Sequence, residues 1–387
     1  FEGVDYYALD GLLSDEQKLV RATVREFVSD KILPVIDEHQ REGTFPVEAL
    51  PVMADMGLLG ANLEGYGLPG LDNISYGLIL QELERGDSGL RSFVSVQGAL
   101  CMYPIWRYGS EAQKQQWLPA MGSGDVIACF GLTEPDAGSD PGAMRTCAEF
   151  DGDEWVLNGV KYWITNGTIA QLAIVWAKTD KGIRGFLVPT DTPGFSANKV
   201  TGKYSLRVSD TAELVLQDCR ISADNVLPDA EGLKGPLTCL NQARYGISWG
   251  AVGAAMACYD EALRYAKNRI AFGRPVAATQ LMQELLVECV TEITKAQLMC
   301  LRLGQLKEAG TVTPQQVSMA KRNNVLMALN TARTCREILG GNGILDDYQS
   351  FRHMVNLESV YTYEGTHQIH TLIVGHDITG YPAFGER

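Results

Sequence analysis

Apolar positions along the chain change their period twice. Up to about residue 124 they fall at helical spacing: Val20, Val24, Phe27 and Val28 form one stripe, and Ile79, Leu80 and Leu83 another. Ser14 with Gln17, and Ser110 with Gln113, have the spacing of a capping box, so each predicts a helix beginning directly after it. The stretch 92–108 also suits a helix. From about 125 the pattern shortens to strand-like runs at 126–130, 145–150, 155–157, 160–165, 172–177, 185–188 and 212–216. Asp151 with Gly152, Asn158 with Gly159, Asn166 with Gly167, and Pro193 with Gly194 read as turns between them. Short strands at this spacing predict an antiparallel barrel or sandwich rather than a parallel sheet. From about 235 the helical period returns. Gly246, Gly250, Gly253 and Ala254 let helices approach closely, and long stretches at 280–307 and 314–339 follow. Three or four such helices joined by short loops predict a bundle. The chain therefore reads as α+β and multidomain, with helical 1–124, β-rich 125–234 and helical 235–387.

Composition narrows the function classes. With 387 residues, 45% hydrophobic and 21% charged, the chain can build sizeable cores, and disorder is excluded. A net charge of −14 repels phosphate backbones, so nucleic acid is not an expected partner. No stretch approaches the roughly 20 apolar residues of a membrane span, so no membrane association is expected. The nine cysteines show no CxxC pair and read as buried free thiols in a reducing compartment. His353, His367 and His370 lack metal-ligand spacing, and no metal is expected.

Four segments carry candidate chemistry, each with a plainer reading beside it. Residues 130–140 follow a strand and are dense in Gly, Ser, Thr and Asp, which suits a loop holding polar cofactor atoms or a simple turn. Trp163 and Thr165 alternate onto one face, for a ring-edge hydrogen bond or as a core Trp beside a turn. Arg269, Phe272 and Arg274 combine cations with an aromatic ring, for a diphosphate or as a helix C-cap. Glu364, next to Gly365, is a carboxylate that an apolar pocket would turn into a base near neutral pH. Its plainer reading is that Glu364 or Thr366 caps the following helix.

In order and in wording these segments resemble the acyl-CoA dehydrogenases over essentially the whole chain. The resemblance implies that family's fold: an N-terminal helical domain, a central antiparallel β-barrel domain and a C-terminal four-helix bundle. It implies FAD, with Phe130, Leu132, Thr133 and Ser139 in the flavin loop and Trp163, Ile164 and Thr165 as a second flavin contact. Arg269, Phe272, Gln280, Gly340, Gly341, Thr366 and Gln368 match positions that grip FAD, some across a subunit boundary. Glu364 would remove the α-proton of an acyl thioester, with its own backbone N–H polarising the thioester carbonyl. Some relatives carry the base on a C-terminal-domain helix, but residues 241–244 offer Ala243 there and no carboxylate; Arg244 and Ser139 are expected to border the substrate. The family further implies a homotetramer and an electron-transferring flavoprotein as acceptor. Bacterial cytoplasm is the expected compartment, or the mitochondrial matrix after removal of a transit peptide.

A sharper resemblance is to the members that oxidise glutaryl-CoA, carried by residues 82–92, 95–97, 240–247, 321–324 and 356–358. A dicarboxylic acyl group brings a second carboxylate into an apolar pocket, where an unpaired charge is costly and a forked guanidinium is the fitting partner. The resemblance gives that role to Arg91 with Ser92, bordered by Glu84 and Tyr363, and implies oxidation to glutaconyl-CoA followed by loss of CO₂ to crotonyl-CoA. Gly86, Leu90, Phe93, Val94 and Tyr361 depart from those members' pattern. Arg91 could instead form a surface pair with Asp87, one helical turn earlier. The competing functions are a short-chain or branched acyl-CoA dehydrogenase, an oxidase reacting with O₂, and an acyl-CoA binding or assembly protein without chemistry.

Overall fold

The computed structural model describes residues 1–383; the end of the expected third segment, 384–387, lies outside them. Seven helices come first: α1 (Asp15–Phe27), α2 (Ile36–Glu42), α3 (Leu50–Asp55), α4 (Asn73–Gly86), α5 (Ser88–Ser95), α6 (Tyr103–Tyr108) and α7 (Glu111–Gly122). Both expected capping boxes form, with Gln17 N donating to Ser14 Oγ at 3.1 Å and Gln113 N to Ser110 Oγ at 3.2 Å. Between α5 and α6 the helical path widens into a π segment at Val96–Met102, a distortion often found beside binding sites. Helix α4 is buried from Ile74 to Gly86, because it runs between α1 and the helical bundle.

The middle of the chain forms one seven-stranded sheet from β1 (Ala128–Gly131), β2 (Cys147–Asp151), β3 (Glu154–Thr165), β4 (Leu172–Thr179), β5 (Gly182–Pro189), β6 (Phe195–Lys199) and β7 (Thr211–Ser222). Most pairings are antiparallel as expected, but β1 lies parallel to β4, with Ala128 opposite Leu172. The runs expected at 155–157 and 160–165 are one strand. Asn158 and Gly159 make a bulge rather than a turn, shifting the register against β7 between Leu157 and Gly159. Gly159 has φ +152°, and a Cβ there would stand 2.4 Å from Thr146 Oγ1.

Helix α8 (Lys234–Asn268) opens the last part, followed by a short hairpin of β8 (Ile270–Ala271) and β9 (Arg274–Pro275). Helices α9 (Gln280–Glu308), α10 (Pro314–Ile338), α11 (Gln349–Thr362) and α12 (His367–Thr379) complete it; α8 to α11 pack as a bundle and α12 lies on α10. Gly246, Gly250 and Gly253 of α8 face α4. A Cβ at Gly253 would stand 1.8 Å from Gln81 O, and one at Gly250 would stand 2.0 Å from Glu84 Oε2. This approach sets Glu84 against the bundle.

All nine cysteines are free, and all but Cys147 are buried. Among the described residues no helix is long and apolar enough to cross a membrane, and no group of His, Cys, Asp or Glu is placed to hold a metal.

Candidate functional site

A cleft of about 1280 Å³ opens where the three parts of the chain meet. The sheet contributes Phe130, Leu132, Thr133, Ser139, Trp163, Ile164 and Thr165 to its wall; the helices contribute Ser92, Arg244, Tyr363, Glu364 and Thr366. Twelve residues singled out in the sequence therefore share one cavity. Val96 and Leu100, from the π segment, add apolar wall.

On the sheet side the loop after β1 is fixed by a buried ion pair. Lys161 Nζ lies 2.8 Å from Glu134 Oε1 and donates to Leu132 O at 3.1 Å. Glu134 also accepts from the backbone N–H groups of Arg145 and Thr146 at 2.6 and 2.9 Å. Burial pushes its carboxyl up, but these bonds outweigh it and bring the pKa down to about 2. Thr133 is thereby held between two anchored neighbours. A second register break, between Lys161 and Ile164, turns Trp163 into the left-handed region at φ +63°. Its indole remains 57% exposed despite lining the cleft. An uncovered aromatic face flanked by the hydroxyls of Thr133, Thr165 and Ser139 fits a flat, polar-edged ring such as isoalloxazine.

On the helical side Asp87 caps α5, accepting from Gly89 N at 2.7 Å, and its other oxygen binds Arg352 Nη1 and Asn356 Nδ2, both at 2.9 Å. Asp87 is thus occupied, and the surface pair with Arg91 does not form. Arg91 is buried. Its Nε donates to Glu84 Oε2 at 2.7 Å and its Nη2 to the Tyr363 hydroxyl; Ser92 Oγ lies 3.3 Å from the same hydroxyl, and Ser88 Oγ donates to Glu84 Oε1 at 2.8 Å. Burial works against the Arg91 charge, but Tyr363, Glu84 and Glu364 outweigh it and raise its pKa. Arg91 and Glu84 do not line the cleft; they stand behind Ser92 and Tyr363. Of the expected pair Arg91 and Ser92, Ser92 lines the cleft, and Arg91 reaches it through the Tyr363 hydroxyl that it binds.

Glu364 sits in the turn between α11 and α12 at φ +51°, followed by Gly365 at φ +90°. Thr366 caps α12, accepting from Ile369 N at 3.1 Å, so Glu364 is free of that duty. Its Oε2 is buried and accepts no hydrogen bond among the described residues. Burial raises the carboxyl pKa, against the lowering pull of Arg91, Lys321 and Arg244. An unsolvated carboxylate at the wall of an apolar cleft is equipped to take a proton. Ala243 is buried on α8, and no second carboxylate lines the cleft around Glu364 apart from Glu358.

The remaining expected residues are elsewhere. Arg269, Phe272 and Gln280 are exposed on or beside the β8–β9 hairpin, and Phe272 adopts φ +50°. Gly340 and Gly341 are exposed in the turn after α10. That turn is tied to the same end of α8, since Asn342 Nδ2 donates to the Tyr265 hydroxyl at 3.2 Å. Gln368 faces outward on α12. None of these six lines the cleft. Conversely, Lys321 had no role assigned from sequence, yet its ammonium is buried against the turn that carries Glu364. A lysine among polar neighbours on a helix reads as solvent-facing, and the packing of α10 against the turn between α11 and α12 buries it.

The sequence matches the acyl-CoA dehydrogenase N-terminal domain over residues 14–125, the middle domain over 129–219 and the C-terminal domain over 230–379. A solved glutaryl-CoA dehydrogenase from Mycobacterium smegmatis, in complex with FADH2, is 50% identical with a TM-score of 0.98, covering 100% of both chains. A glutaryl-CoA dehydrogenase in complex with glutaryl-CoA is 32% identical, with a TM-score of 0.91 over 95% of this chain and 96% of that one. The human mitochondrial short-chain specific acyl-CoA dehydrogenase is 36% identical over 377 residues, 95% of this chain and 92% of its own length.

Proposed function

The chain belongs to the acyl-CoA dehydrogenase family, and on that premise we propose that it oxidises glutaryl-CoA and releases CO₂, leaving crotonyl-CoA. Its acyl-CoA dehydrogenase activity makes it an oxidoreductase, with FAD as cofactor. When bound, FAD supplies the acceptor for the substrate's β-hydride. Thr133, Thr165 and Ser139 offer hydroxyls to it, and Trp163 offers a ring face.

The observation that carries the substrate reading is the buried Arg91 guanidinium, one hydroxyl away from the cleft. Glu84 occupies its Nε side, which leaves Nη2 bound to the Tyr363 hydroxyl, itself 3.3 Å from Ser92 Oγ. A second carboxylate arriving at that wall meets the Tyr363 and Ser92 hydroxyls and a fixed positive charge. The charge keeps the carboxylate ionised, as its departure as CO₂ requires.

The chain's own groups then act in sequence. The backbone N–H of Glu364 polarises the thioester carbonyl, which acidifies the α-carbon. Glu364 takes the α-proton as the β-hydride leaves, giving glutaconyl-CoA. Loss of CO₂ leaves a dienolate that must be protonated at its γ-carbon. Glu364, now carrying a proton, is the adjacent acid.

A second reading is a short-chain or branched acyl-CoA dehydrogenase without decarboxylation. It is favoured by Arg91 being covered by Tyr363 and paired with Glu84, and by the human short-chain relative. The two readings separate on kcat/KM for glutaryl-CoA against butyryl-CoA in the wild type and in Arg91→Met. The dicarboxylate reading predicts a glutaryl preference that falls roughly 100-fold in the variant, as when a built polar contact is removed. An unchanged ratio would support the second reading.

The exposed set of Arg269, Phe272, Gln280, Gly340 and Gly341 belongs, in this proposal, to an interface that completes the FAD site of another copy within a homotetramer. An electron-transferring flavoprotein is the proposed acceptor.

A further inference from the structure

The turn that presents Glu364 is held in an unfavourable shape by buried cations. A non-glycine residue in the left-handed region costs roughly 1–3 kcal/mol unless its surroundings fix it there. Here the surroundings are explicit. Lys321 Nζ, reaching from α10, donates to Tyr363 O at 2.9 Å and to Gly365 O at 2.8 Å. Arg244 Nε, from α8, donates to Glu364 O at 2.7 Å. Three successive carbonyls are therefore bound by two cations. On the other side, a Cβ at Gly365 would stand 2.9 Å from His370 Nε2 and 3.1 Å from Arg244 Nη2, so this close-packed turn favours glycine there.

Lys321 is 1% exposed, and among the described residues no carboxylate lies within ion-pair distance of it. A buried ammonium that meets two carbonyls and the Tyr363 ring, 5.9 Å away, is an expensive choice for packing alone, since an apolar side chain of that length would avoid the desolvation cost. Resting on the reading of Glu364 as the base, we infer that Lys321 is a positioning residue for proton transfer: it binds the carbonyls on either side of Glu364, which fixes the direction of its carboxylate, and its protonated form adds positive charge near it.

The electrostatics agree in direction. The Lys321 ammonium is brought down to about 7: burial lowers it most, Arg244 and Arg91 act the same way, and Glu364 and Glu84 pull against them. Lys321 in turn is among the groups that lower Glu364 against its burial. The other charged groups acting on Glu364 are Arg91 from α5, Glu84 from α4 and Arg244 from α8. His370, from α12, is held neutral, with burial, Lys321 and Arg244 taking it down to about 2. Lys321 is thus one of three cations that keep Glu364 within reach of its basic form, and the one that also clamps both flanking peptides.

The test compares FAD-loaded wild type, Lys321→Met, Lys321→Arg and Glu364→Gln. Turnover is read on the acyl-CoA substrate across pH. Loss of α-deuterium is read separately, on an acyl-CoA whose β-carbon is replaced by sulfur and which has no hydride to give. Lys321→Met is expected to lower kcat roughly 10- to 100-fold with KM changed less than about threefold, because misplacing a reacting group by an ångström has that effect. The same variant moves the acid limb of the kcat/KM profile upward by about one pH unit, since removing a cation raises a neighbouring carboxyl. Exchange of α-deuterium slows in parallel, and Lys321→Arg keeps the limb at its wild-type position. Lys321→Gln, which also lacks the charge, carries the same expectation if the Met variant does not fold. Unchanged kcat with an unmoved limb overturns the inference, as does a fall in kcat with the limb unmoved, which leaves Lys321 a packing role. Turnover and exchange surviving in Glu364→Gln would instead remove the base assignment itself.

Discussion

Around Glu364 the chain binds its own buried charges: Arg91 holds Glu84, Lys321 and Arg244 hold the catalytic turn, and Asp87 holds Arg352. At the far end of α8 the opposite is true. Phe272 is fully exposed in a left-handed conformation, Ile270 is 57% exposed, and Arg269 and Gln280 face solvent. Both regions contain residues expected to touch the same cofactor and substrate. The difference lies in where desolvation is resolved. The buried cations are met within the chain, Arg91 by Glu84, Arg352 by Asp87 and Lys321 by backbone carbonyls, because an unsatisfied buried charge is costly. The proposed interface with another copy would cover an aromatic and a cation that the hairpin leaves bare in one chain.

The largest effect should come from the buried region. Glu364→Gln removes the base and is expected to lower kcat roughly 10²- to 10⁴-fold while FAD content, read from the absorption spectrum, stays at one per chain. The wild-type pH profile carries a related sign. Burial raises the Glu364 carboxyl, and the ionised form is the active one, so activity falls as pH drops through a value above the ordinary carboxylate range. A limb at or below that range would contradict the burial account.

Arg91→Met leaves Glu84 buried without its cation and is expected to cost about 3–5 kcal/mol in denaturant unfolding. The loss should shrink as pH falls. Burial already raises the Glu84 pKa, and without Arg91 it rises further, so protonation relieves the charge earlier. Gly250→Ala drives a Cβ into Glu84 Oε2 and is expected to cost about 1–3 kcal/mol, with a fall in glutaryl-CoA turnover larger than that for butyryl-CoA. Equal losses on both substrates would separate Glu84 from the dicarboxylate wall.

The smallest effect on the chain itself should come from the exposed region. Phe272→Ala is expected to change unfolding free energy by less than about 0.5 kcal/mol, as for a surface site. It should nonetheless weaken FAD retention and shift the oligomer toward smaller species in sedimentation. Unaltered retention and assembly would break the comparison at its weaker end.

Local signals were the most legible. Ser14 with Gln17, and Ser110 with Gln113, define helix starts because a capping box is satisfied within four residues. The three-part organisation follows from apolar period alone. What the sequence concealed depends on distant pairing. Asn158 and Gly159 have turn chemistry, but strand β7 extends past them and converts the turn into a bulge. Strand β6 was not anticipated, since an edge strand exposed along much of its length has little apolar alternation. In the site, the residues lining the cleft were found through motifs. The depth of Arg91 behind Tyr363, and the burial of Lys321, arise from packing between segments far apart in the chain, which no local pattern records.

The central claim is that the wall formed by Tyr363 and Ser92 over Arg91 receives a second carboxylate next to the base. Glutaryl-CoA added anaerobically to the FAD-loaded protein, with flavin bleaching and released CO₂ followed together, tests it most directly. Bleaching accompanied by stoichiometric CO₂ is the predicted result. Bleaching by butyryl-CoA but not by glutaryl-CoA, with no CO₂, would contradict the claim while leaving Glu364 as the base.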